Sequence, residues 1–488
     1  MCGHTSVARS RDKGEQTFVE QLSRRGCLRA AAAVVAEDVY PALPSERSGI
    51  ITDMSRTPYT PRRVIFAYIS TNGLFTLAAS LIWAINTNFL MQRGGLNIFQ
   101  VMLLNTIYLL AQMICEVPTG VIADTIGRKA SFLISIATII VSTLLYVATP
   151  VYGWGFLGFS IATVIIGIGF TFQTGAVDAW MVDALDYSGW EGPKDRVFSW
   201  GFMAFGAAGF VGALLGGFLG NVNLLIPYVV RAVVLGAAFV LVLVLVHDEG
   251  FEPRPLSVHT FGAETRKIFD AGVDFGWHSR VVRPLMFVSL VTGVTGMYAF
   301  YSWQPYLLQL LGKNTVWLLG VVQAGAFLAT MAGNSLVPLI MRSGERRRDP
   351  ARVLAIGALF VAGFTAAIGA LGYLVRVPGV VPAAIAISLW LGWSVVFGML
   401  GPVRSTFINE HIPSAQRATV LSLDSLFGDA GGAGGNVALG WVSGRFGYAP
   451  AWLIGSVFFG LASPLYAVAG RAANAEKAAE AEARAEVA

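Results

Sequence analysis

Three acidic residues and one arginine lie within long apolar stretches of this sequence, at Glu116, Asp178, Asp429 and Arg231. A charge inside a membrane-length apolar segment costs about 3 kcal/mol or more and marks a functional candidate by default. Asp429 lies near the middle of its run among glycines. We interpret it as the first candidate for binding and releasing a proton, followed by Glu116 and Asp178. The alternative is a structural role, with a neutral Asp429 hydrogen-bonded to a facing helix.

Arg231 lies in the outer third of the sixth apolar run. One hypothesis is that it attracts an anionic substrate or pairs with an acid. The other is that the long side chain snorkels to the nearby membrane surface, which requires no site at all. The sequence leaves both open.

A charged turn interrupts the apolar pattern at "GVIADTIGRK", residues 120–129. Asp124 precedes Gly127, and Arg128 and Lys129 follow directly. An acid near the membrane surface complements the positive end of a neighbouring helix. The two cations are placed to pair with acids such as Asp178 and Asp183, at the inner end of the fourth run. Glu116 has the same alternative, as a partner of Arg128.

The elements that must position these residues are apolar runs of membrane-spanning length. Of 488 residues, 55% are hydrophobic and 13% charged, with a net charge of +5. Twelve runs lie between residues 64 and 470. If the first runs outward, the inner connections and the tail segments next to the runs hold 22 Lys and Arg and the outer loops hold four, which predicts that both termini are cytoplasmic. The positive charge then holds inner loops against an anionic leaflet and gives no reason to expect nucleic acid.

The predicted organisation is two bundles of six helices joined by a long inner loop. Gly212, Gly216 and Gly220 in the fifth run are spaced like Gly431 and Gly435 in the eleventh, and such ridges let helices pack closely. The polar segment before Met54 is predicted to be disordered or over-annotated. The predicted boundaries are a cytoplasmic tail at 1–62, bundles at 63–246 and 284–470, a cytoplasmic loop at 247–283 and a cytoplasmic tail at 471–488.

The charged turn resembles the loop signature between the second and third helices of the major facilitator superfamily. Gly120, Asp124, Gly127, Arg128 and Lys129 match it, and Thr125 replaces the usual cation. "ALLGG" (213–217) is similar to the fifth-helix signature of the drug/proton antiporter branch, with Ala213 in place of its proline. The resemblance implies an all-α membrane protein of twelve transmembrane helices in two pseudo-symmetric bundles. It also implies that the turn, with Asp178 and Asp183, is a latch that ties the eleventh helix to the first half when the cavity faces outward.

In this superfamily the first, fourth, seventh and tenth helices line a central cavity. Matching polar and aromatic residues to those helices, and adding Arg231, predicts a substrate cavity that suits amphipathic or aromatic compounds. Aromatic residues near helix ends are also typical of the interfacial belt. The cavity candidates are Gln173, Tyr298, Tyr301, Gln304, Trp393 and Arg231.

The sequence therefore predicts a secondary transporter of the bacterial inner membrane and not an enzyme. No nucleotide loop, metal-ligand cluster or nucleophile motif is found in it. No cofactor is expected, and the proton gradient is the expected energy source. The expected partners are a small-molecule substrate and the lipid bilayer, with a monomer as the working unit. The favoured mode is proton-coupled export of a hydrophobic or amphipathic compound. The alternatives are import of a nutrient or organic anion, and a non-transporting membrane sensor.

Overall fold

The structure is a computed structural model that describes residues 60–251, 273–343, 346–413 and 416–487, with the isolated positions 266 and 270. The predicted tail up to residue 59 and most of the 247–283 loop lie outside the described residues. Nearly every described residue outside short turns is helical. The predicted all-α class is confirmed.

Eight helices form the first half of the chain. Apolar residues fill them, and glycine or proline stands at several ends, as at Gly127 and Gly153. The helices are α1 Pro61–Trp83, α2 Asn86–Gln92, α3 Ile98–Ile126, α4 Arg128–Tyr152, α5 Gly155–Gln173, α6 Ala176–Tyr187, α7 Lys194–Val222 and α8 Ile226–Leu245.

Six helices form the second half. They are α9 Val282–Leu311, α10 Val316–Met341, α11 Pro350–Leu374, α12 Val380–Glu410, α13 Arg417–Phe446 and α14 Tyr448–Val487. A two-residue antiparallel ladder, β1 Arg342–Ser343 with β2 Arg346–Arg347, stands between α10 and α11. The predicted C-terminal tail continues α14 as one uninterrupted helix to Val487.

Two membrane crossings are broken into two helices each. The first crossing breaks between α1 and α2 at Ala84 and Ile85. The fourth breaks between α5 and α6 at Thr174 and Gly175, where Gly175 adopts φ of +74°. A positive φ favours glycine because it has no Cβ. Such breaks occur within a membrane only where protein or a cavity satisfies the freed backbone groups.

Eleven segments of the described chain are long and apolar enough to cross a membrane, with α5 and α6 counted as one. The twelfth predicted crossing is α13. It has 30 residues, ample for a crossing, but its composition is diluted by Asp424, Asp429, Asn436 and many glycines. α13 packs between α3 and α9, and Asp424 and Asn436 are buried within the protein.

Glycines let equivalent helices of the two halves pack closely. In the first half, Gly216 of α7 lies against the carbonyl of Leu81 in α1. In the second, Gly431 of α13 lies against the carbonyl of Leu290 in α9. The spacing noted in the sequence thus marks the same helix contact in each half, as expected of pseudo-symmetric bundles.

The halves meet mainly through two helix pairs, α3 with α13 and α7 with α10. Gly217 and Gly320 bring α7 and α10 into backbone contact. The end of the molecule that carries the 124–129 turn is called the basic end here. The opposite end, which carries Gln92 and Asn314, is called the far end.

Candidate functional site

The far end is closed by hydrogen bonds between the halves. Gln304 of α9 is fully buried and donates through Nε2 to the carbonyl of Trp83 at 2.8 Å. Its Oε1 accepts from the backbone N–H of Thr87 at 3.1 Å. These two backbone groups flank the break between α1 and α2. Gln304, predicted to line the cavity, thus bridges the halves.

A second amide pair lies nearer the far-end surface. Gln92 donates through Nε2 to Oδ1 of Asn314 at 2.8 Å, and Asn314 donates in return through Nδ2 to Gln92 Oε1 at 3.0 Å. Among the described residues, the hydrogen bonds between the halves lie at the far end or near the middle of the helices, where Thr106 of α3 donates to the carbonyl of Ala433 in α13 at 3.1 Å. The basic ends of the halves carry no such bond within the described chain.

Below the Gln304 bridge lies a cavity of about 180 Å³. Most of its wall belongs to the first half, and α9 closes one side with Phe300 and Tyr301. Asn86, Asn105 and Arg231 are polar members of the lining. Its aromatic wall includes Trp83, Tyr108, Tyr146, Phe170, Tyr228 and Tyr301. Two of the predicted cavity residues, Tyr301 and Arg231, therefore line this cavity.

Arg231 is 2% exposed and lies against three tyrosines of the cavity. Tyr228 donates its hydroxyl to Asn86 Oδ1 at 2.7 Å. The hydroxyl of Tyr146 shares a hydrogen bond with Thr163 at 2.7 Å. In this structure the guanidinium faces the cavity instead of snorkelling to the membrane surface.

Glu116 and Asp429 come together across the interface between the halves. Glu116 Oε1 of α3 accepts from the hydroxyl of Thr174 at 3.1 Å, at the break between α5 and α6. Its carboxyl lies within electrostatic reach of Asp429 on α13. Tyr108, one cavity wall residue, lies within reach of both Asp429 and Arg231. The cavity wall and the carboxyl group of Asp429 therefore lie within electrostatic reach of one another.

Asp178 lies apart from these two carboxyl groups. It is on α6 and accepts a hydrogen bond from Tyr68 of α1 at 2.8 Å. This contact stays within the first half. The other predicted cavity residues also lie elsewhere: Tyr298 bonds Ser443 of α13, and Gln173 ends α5 without joining the cavity wall.

Trp393 belongs to an aromatic cluster in the second half. It stacks on Trp390 with ring centroids 4.9 Å apart and on Phe397 at 4.7 Å. Trp303 stacks on the other side of Trp390 at 5.8 Å. This cluster packs the second bundle and does not line the cavity around Arg231.

The 124–129 turn makes its described contacts within the first half. Asp124 pairs with Arg128 at 2.7 Å. Asp248, just after α8, accepts from the backbone N–H of Lys129 at 2.8 Å and lies against Gly127. Asp183 lies within electrostatic reach of Arg128, whereas Gly120 has open space around it.

No hydrogen bond or ion pair joins this turn to α13 in the part of the chain that the structure describes. Lys129 instead donates through Nζ to the carbonyl of Leu243 at 2.9 Å, and Trp180 donates to the carbonyl of His247 at 2.8 Å. The latch between the halves stays a prediction, and with the far end closed it is expected to be open.

A buried ion pair in the second half was missed by the sequence reasoning. Arg404 of α12 contacts both oxygens of Asp424 in α13, at 2.7 and 2.8 Å. It also donates to Ser289 of α9. Arg404 is one of the 22 cations that the sequence pattern assigns to the inner connections. The signal for the pair was an arginine and an acid at similar depths of neighbouring helices.

Two pseudo-symmetric halves of membrane-length helices, a closed far end and a cavity walled mainly by the first half are the architecture of a membrane transporter of small molecules. The family model described as Major Facilitator Superfamily matches residues 68–436. This chain belongs to the Major Facilitator Superfamily.

Two curated relatives are tetracycline resistance proteins. The class G protein of Vibrio anguillarum is 25% identical over 366 residues, which cover 74% of this chain and 85% of that protein. The class C protein of Escherichia coli is 26% identical over 201 residues, or 40% of this chain and 46% of that protein. Among solved structures, the nucleoside transporter NupG matches with a TM-score of 0.65 at 13% identity, over 83% of this chain and 98% of that one. The last likeness shows the fold alone.

Proposed function

We propose that this protein exports an amphipathic, aromatic small molecule across the bacterial plasma membrane in exchange for protons. The observation that carries the proposal is an aromatic cavity whose wall residue Tyr108 lies within electrostatic reach of Asp429, which in turn lies within reach of Glu116. The likeness to the two tetracycline resistance proteins adds support. The basic end faces the cytoplasm, as the distribution of Lys and Arg predicts.

The cycle follows from the two ends of the molecule. With the far end closed, a substrate reaches the cavity from the basic end while Asp429 or Glu116 releases a proton there. The substrate-loaded halves then rock about the α3–α13 and α7–α10 contacts and open the far end. After the substrate leaves, a proton from the outer side binds the carboxylate, and the protein returns to the state in which the far end is closed. A proton moving inward gains about 2.3 kcal/mol per 100 mV, which drives uphill export.

A second candidate function is import of an organic anion. The observation that favours it is Arg231, a buried cation in the cavity wall. In this case the same carboxyl groups would carry the proton inward together with the anion, instead of in exchange for an exported substrate. The two candidates share the cavity and differ in the direction of net substrate movement.

The test is substrate-stimulated proton flux in liposomes that contain a pH-sensitive dye. The purified protein is exposed to lipophilic cations, aromatic drugs and organic anions in turn. We expect flux with aromatic compounds, and we expect Asp429→Asn to reduce it at least tenfold because an amide cannot exchange a proton. Asp195→Asn, an exposed acid at the start of α7, is the matched control and keeps the flux.

Two results would overturn the proposal. One is full flux in both Asp429→Asn and Glu116→Gln, since neither carboxyl would then carry the proton. The other is silence across the panel from protein shown to be folded, which would favour a non-transporting sensor. Flux with net movement of organic anions into the compartment of higher pH would select the importer.

A further inference from the structure

We infer that the cavity recognises an aromatic anion, with Arg231 as the group that binds its carboxylate or other acidic substituent. The inference rests on the proposed function in one respect, that this cavity is the substrate site. It depends neither on the direction of transport nor on proton coupling.

Arg231 is a buried cation that lacks a partner of opposite charge. Its side chain is 2% exposed, and its Nε has no hydrogen-bond acceptor. Within the described residues, no carboxylate lies at ion-pair distance from its guanidinium. Burying a charge is costly unless it is paired. An anionic ligand would supply the missing countercharge at this point of the cavity wall.

The nearest polar neighbours of Arg231 in the cavity wall are neutral side chains. They are Tyr108, Tyr146 and Tyr228, whose phenol dipoles lie within electrostatic reach. The hydroxyl hydrogen of Tyr228 is committed to Asn86. Because a guanidinium presents a planar fork of donors, it suits a carboxylate that accepts two hydrogen bonds side by side.

The volume of the cavity and its aromatic lining indicate that the ligand's acidic group is attached to an aromatic ring. A cavity of 150 Å³ holds benzene, so about 180 Å³ accommodates one aromatic ring with a small acidic group. Tyr146 and Tyr228 lie nearly parallel, with centroids 5.9 Å apart and planes 12° apart, next to Arg231. Ring stacking on such faces adds to simple burial. A cationic ring would meet the charge of Arg231 instead.

The test is isothermal titration of the full-length protein in detergent with three probes of one size: benzoate, benzamide and benzylammonium. Hydrogen bonds to charged groups predict that benzoate binds about tenfold tighter than benzamide. Arg231→Gln is expected to remove that preference, and Arg231→Lys to keep part of it. Arg376→Gln, which alters an exposed cation in a loop beyond the bundle, keeps the full preference.

Thermal unfolding distinguishes recognition from a structural role. We expect Arg231→Gln to unfold at the same temperature as the wild type or higher, because it removes an unpaired buried charge. Three results would overturn the inference: equal affinity for benzoate and benzamide in the wild type, an unchanged preference in Arg231→Gln, or no binding of either ring to folded protein.

The two proposals fail separately. A preference for benzoate that disappears in Arg231→Gln, together with an absence of proton flux, contradicts the proton exchange and leaves the anion site in place. Proton flux that is stimulated only by neutral or cationic compounds contradicts the anion site and leaves proton-coupled export in place.

Discussion

Two polar side chains buried between the helices illustrate how a specific group of the opposing surface is satisfied. Gln304 binds the two backbone groups that the break in the first crossing leaves open. Arg404 and Asp424 neutralise one another between α12 and α13. Arg231 differs from these two residues, since its Nε lacks an acceptor and its side chain lines a cavity. At the scale of the residue, therefore, a satisfied polar group indicates structure, and an unsatisfied one next to space indicates a ligand.

Gln304→Leu is expected to weaken closure of the far end. The apolar side chain keeps the volume but leaves the carbonyl of Trp83 and the N–H of Thr87 unpaired, at about 1–3 kcal/mol for each buried group. The melting midpoint in detergent should fall. Gln309→Leu, on the exposed side of the same helix, is the matched control. Equal midpoints for the two variants would contradict the bridging role.

Asp424→Asn is expected to destabilise the second half strongly. It leaves the buried charge of Arg404 without its partner, which costs about 3–5 kcal/mol. Asp186→Asn breaks an ion pair of similar length with Lys194, 2.7 Å, but at the surface. An exposed pair contributes about 0–1 kcal/mol. Thermal unfolding of the two variants measures the difference, and an unaltered midpoint in Asp424→Asn would count against the buried pair.

The spacing and the breaks of several helices in this protein are explained by their contacts with neighbouring helices. α7 and α10 touch through Gly217 and Gly320, and a Cβ on Gly217 would lie 2.6 Å from the Cα of Gly320. α5 and α6 separate at Thr174, whose hydroxyl then reaches Glu116. The close α7–α10 contact thus sets the spacing between the halves, and the break between α5 and α6 places a hydrogen-bond donor next to Glu116.

Gly217→Ala should push α7 and α10 apart and open the far end. The added methyl group has no room against Gly320, so the contact between the halves must lengthen. Gly236→Ala in α8 is the control, because nothing lies within 4 Å of the position its Cβ would take. Labelling of a cysteine at position 314 by an impermeant maleimide measures the opening. Equal labelling in both variants would refute the packing argument.

Asp248 gives a pH dependence that can be measured. Burial raises the pKa of its carboxyl above the ordinary value, although Lys129 and Arg128 lower it. An acid whose pKa is higher in the folded state contributes less stability as the pH rises through the interval between the two values. Above that interval the ionised carboxylate is therefore less stable in the folded chain than in the unfolded chain, relative to the protonated form.

We accordingly expect Asp248→Asn, which keeps an acceptor for the Lys129 N–H, to leave the melting midpoint at pH 7 unchanged or raised. Asp248→Ala removes the acceptor for this N–H at the start of α4 and should lower the free energy of unfolding by about 1 kcal/mol. When the pH falls below the raised pKa of Asp248, the melting midpoint of the wild type should rise relative to that of the Asn variant. A wild type that loses stability relative to Asn on acidification would contradict the assignment.

At the scale of the whole molecule, the features that could be predicted are those encoded by one continuous stretch of sequence. Twelve crossings, the turn at 124–129 and the glycine ridges are local patterns, and the all-α fold follows from them. Contacts between distant residues were not predictable in this way. Gln304 was placed on a cavity helix, yet its partners at Trp83 and Thr87 depend on a helix break without a proline. Asp424 and Arg404 meet only because α12 and α13 pack side by side.

At this scale the halves are held together at the far end and across the middle of the helices, whereas at the basic end no hydrogen bond joins them within the described chain. The Gln92–Asn314 pair crosses between the halves. The nearby pair of Arg93 Nη2 with Asn223 Oδ1, at 3.1 Å, lies within the first half. Both pairs lie at the far end. Movement of one half against the other must separate Gln92 from Asn314 but leaves Arg93 next to Asn223.

Reversible cross-linking of these pairs tests the central claim, that transport requires the far end to open. Cysteines replace Gln92 and Asn314 in one protein and Arg93 and Asn223 in the other, with Cys2, Cys27 and Cys115 changed to serine in both. A short bis-thiosulfonate is then added to liposomes. We predict that joining positions 92 and 314 abolishes substrate-stimulated proton flux, that reductant restores it, and that joining 93 and 223 leaves it intact. Undiminished flux from protein shown to be cross-linked between 92 and 314 would contradict the account.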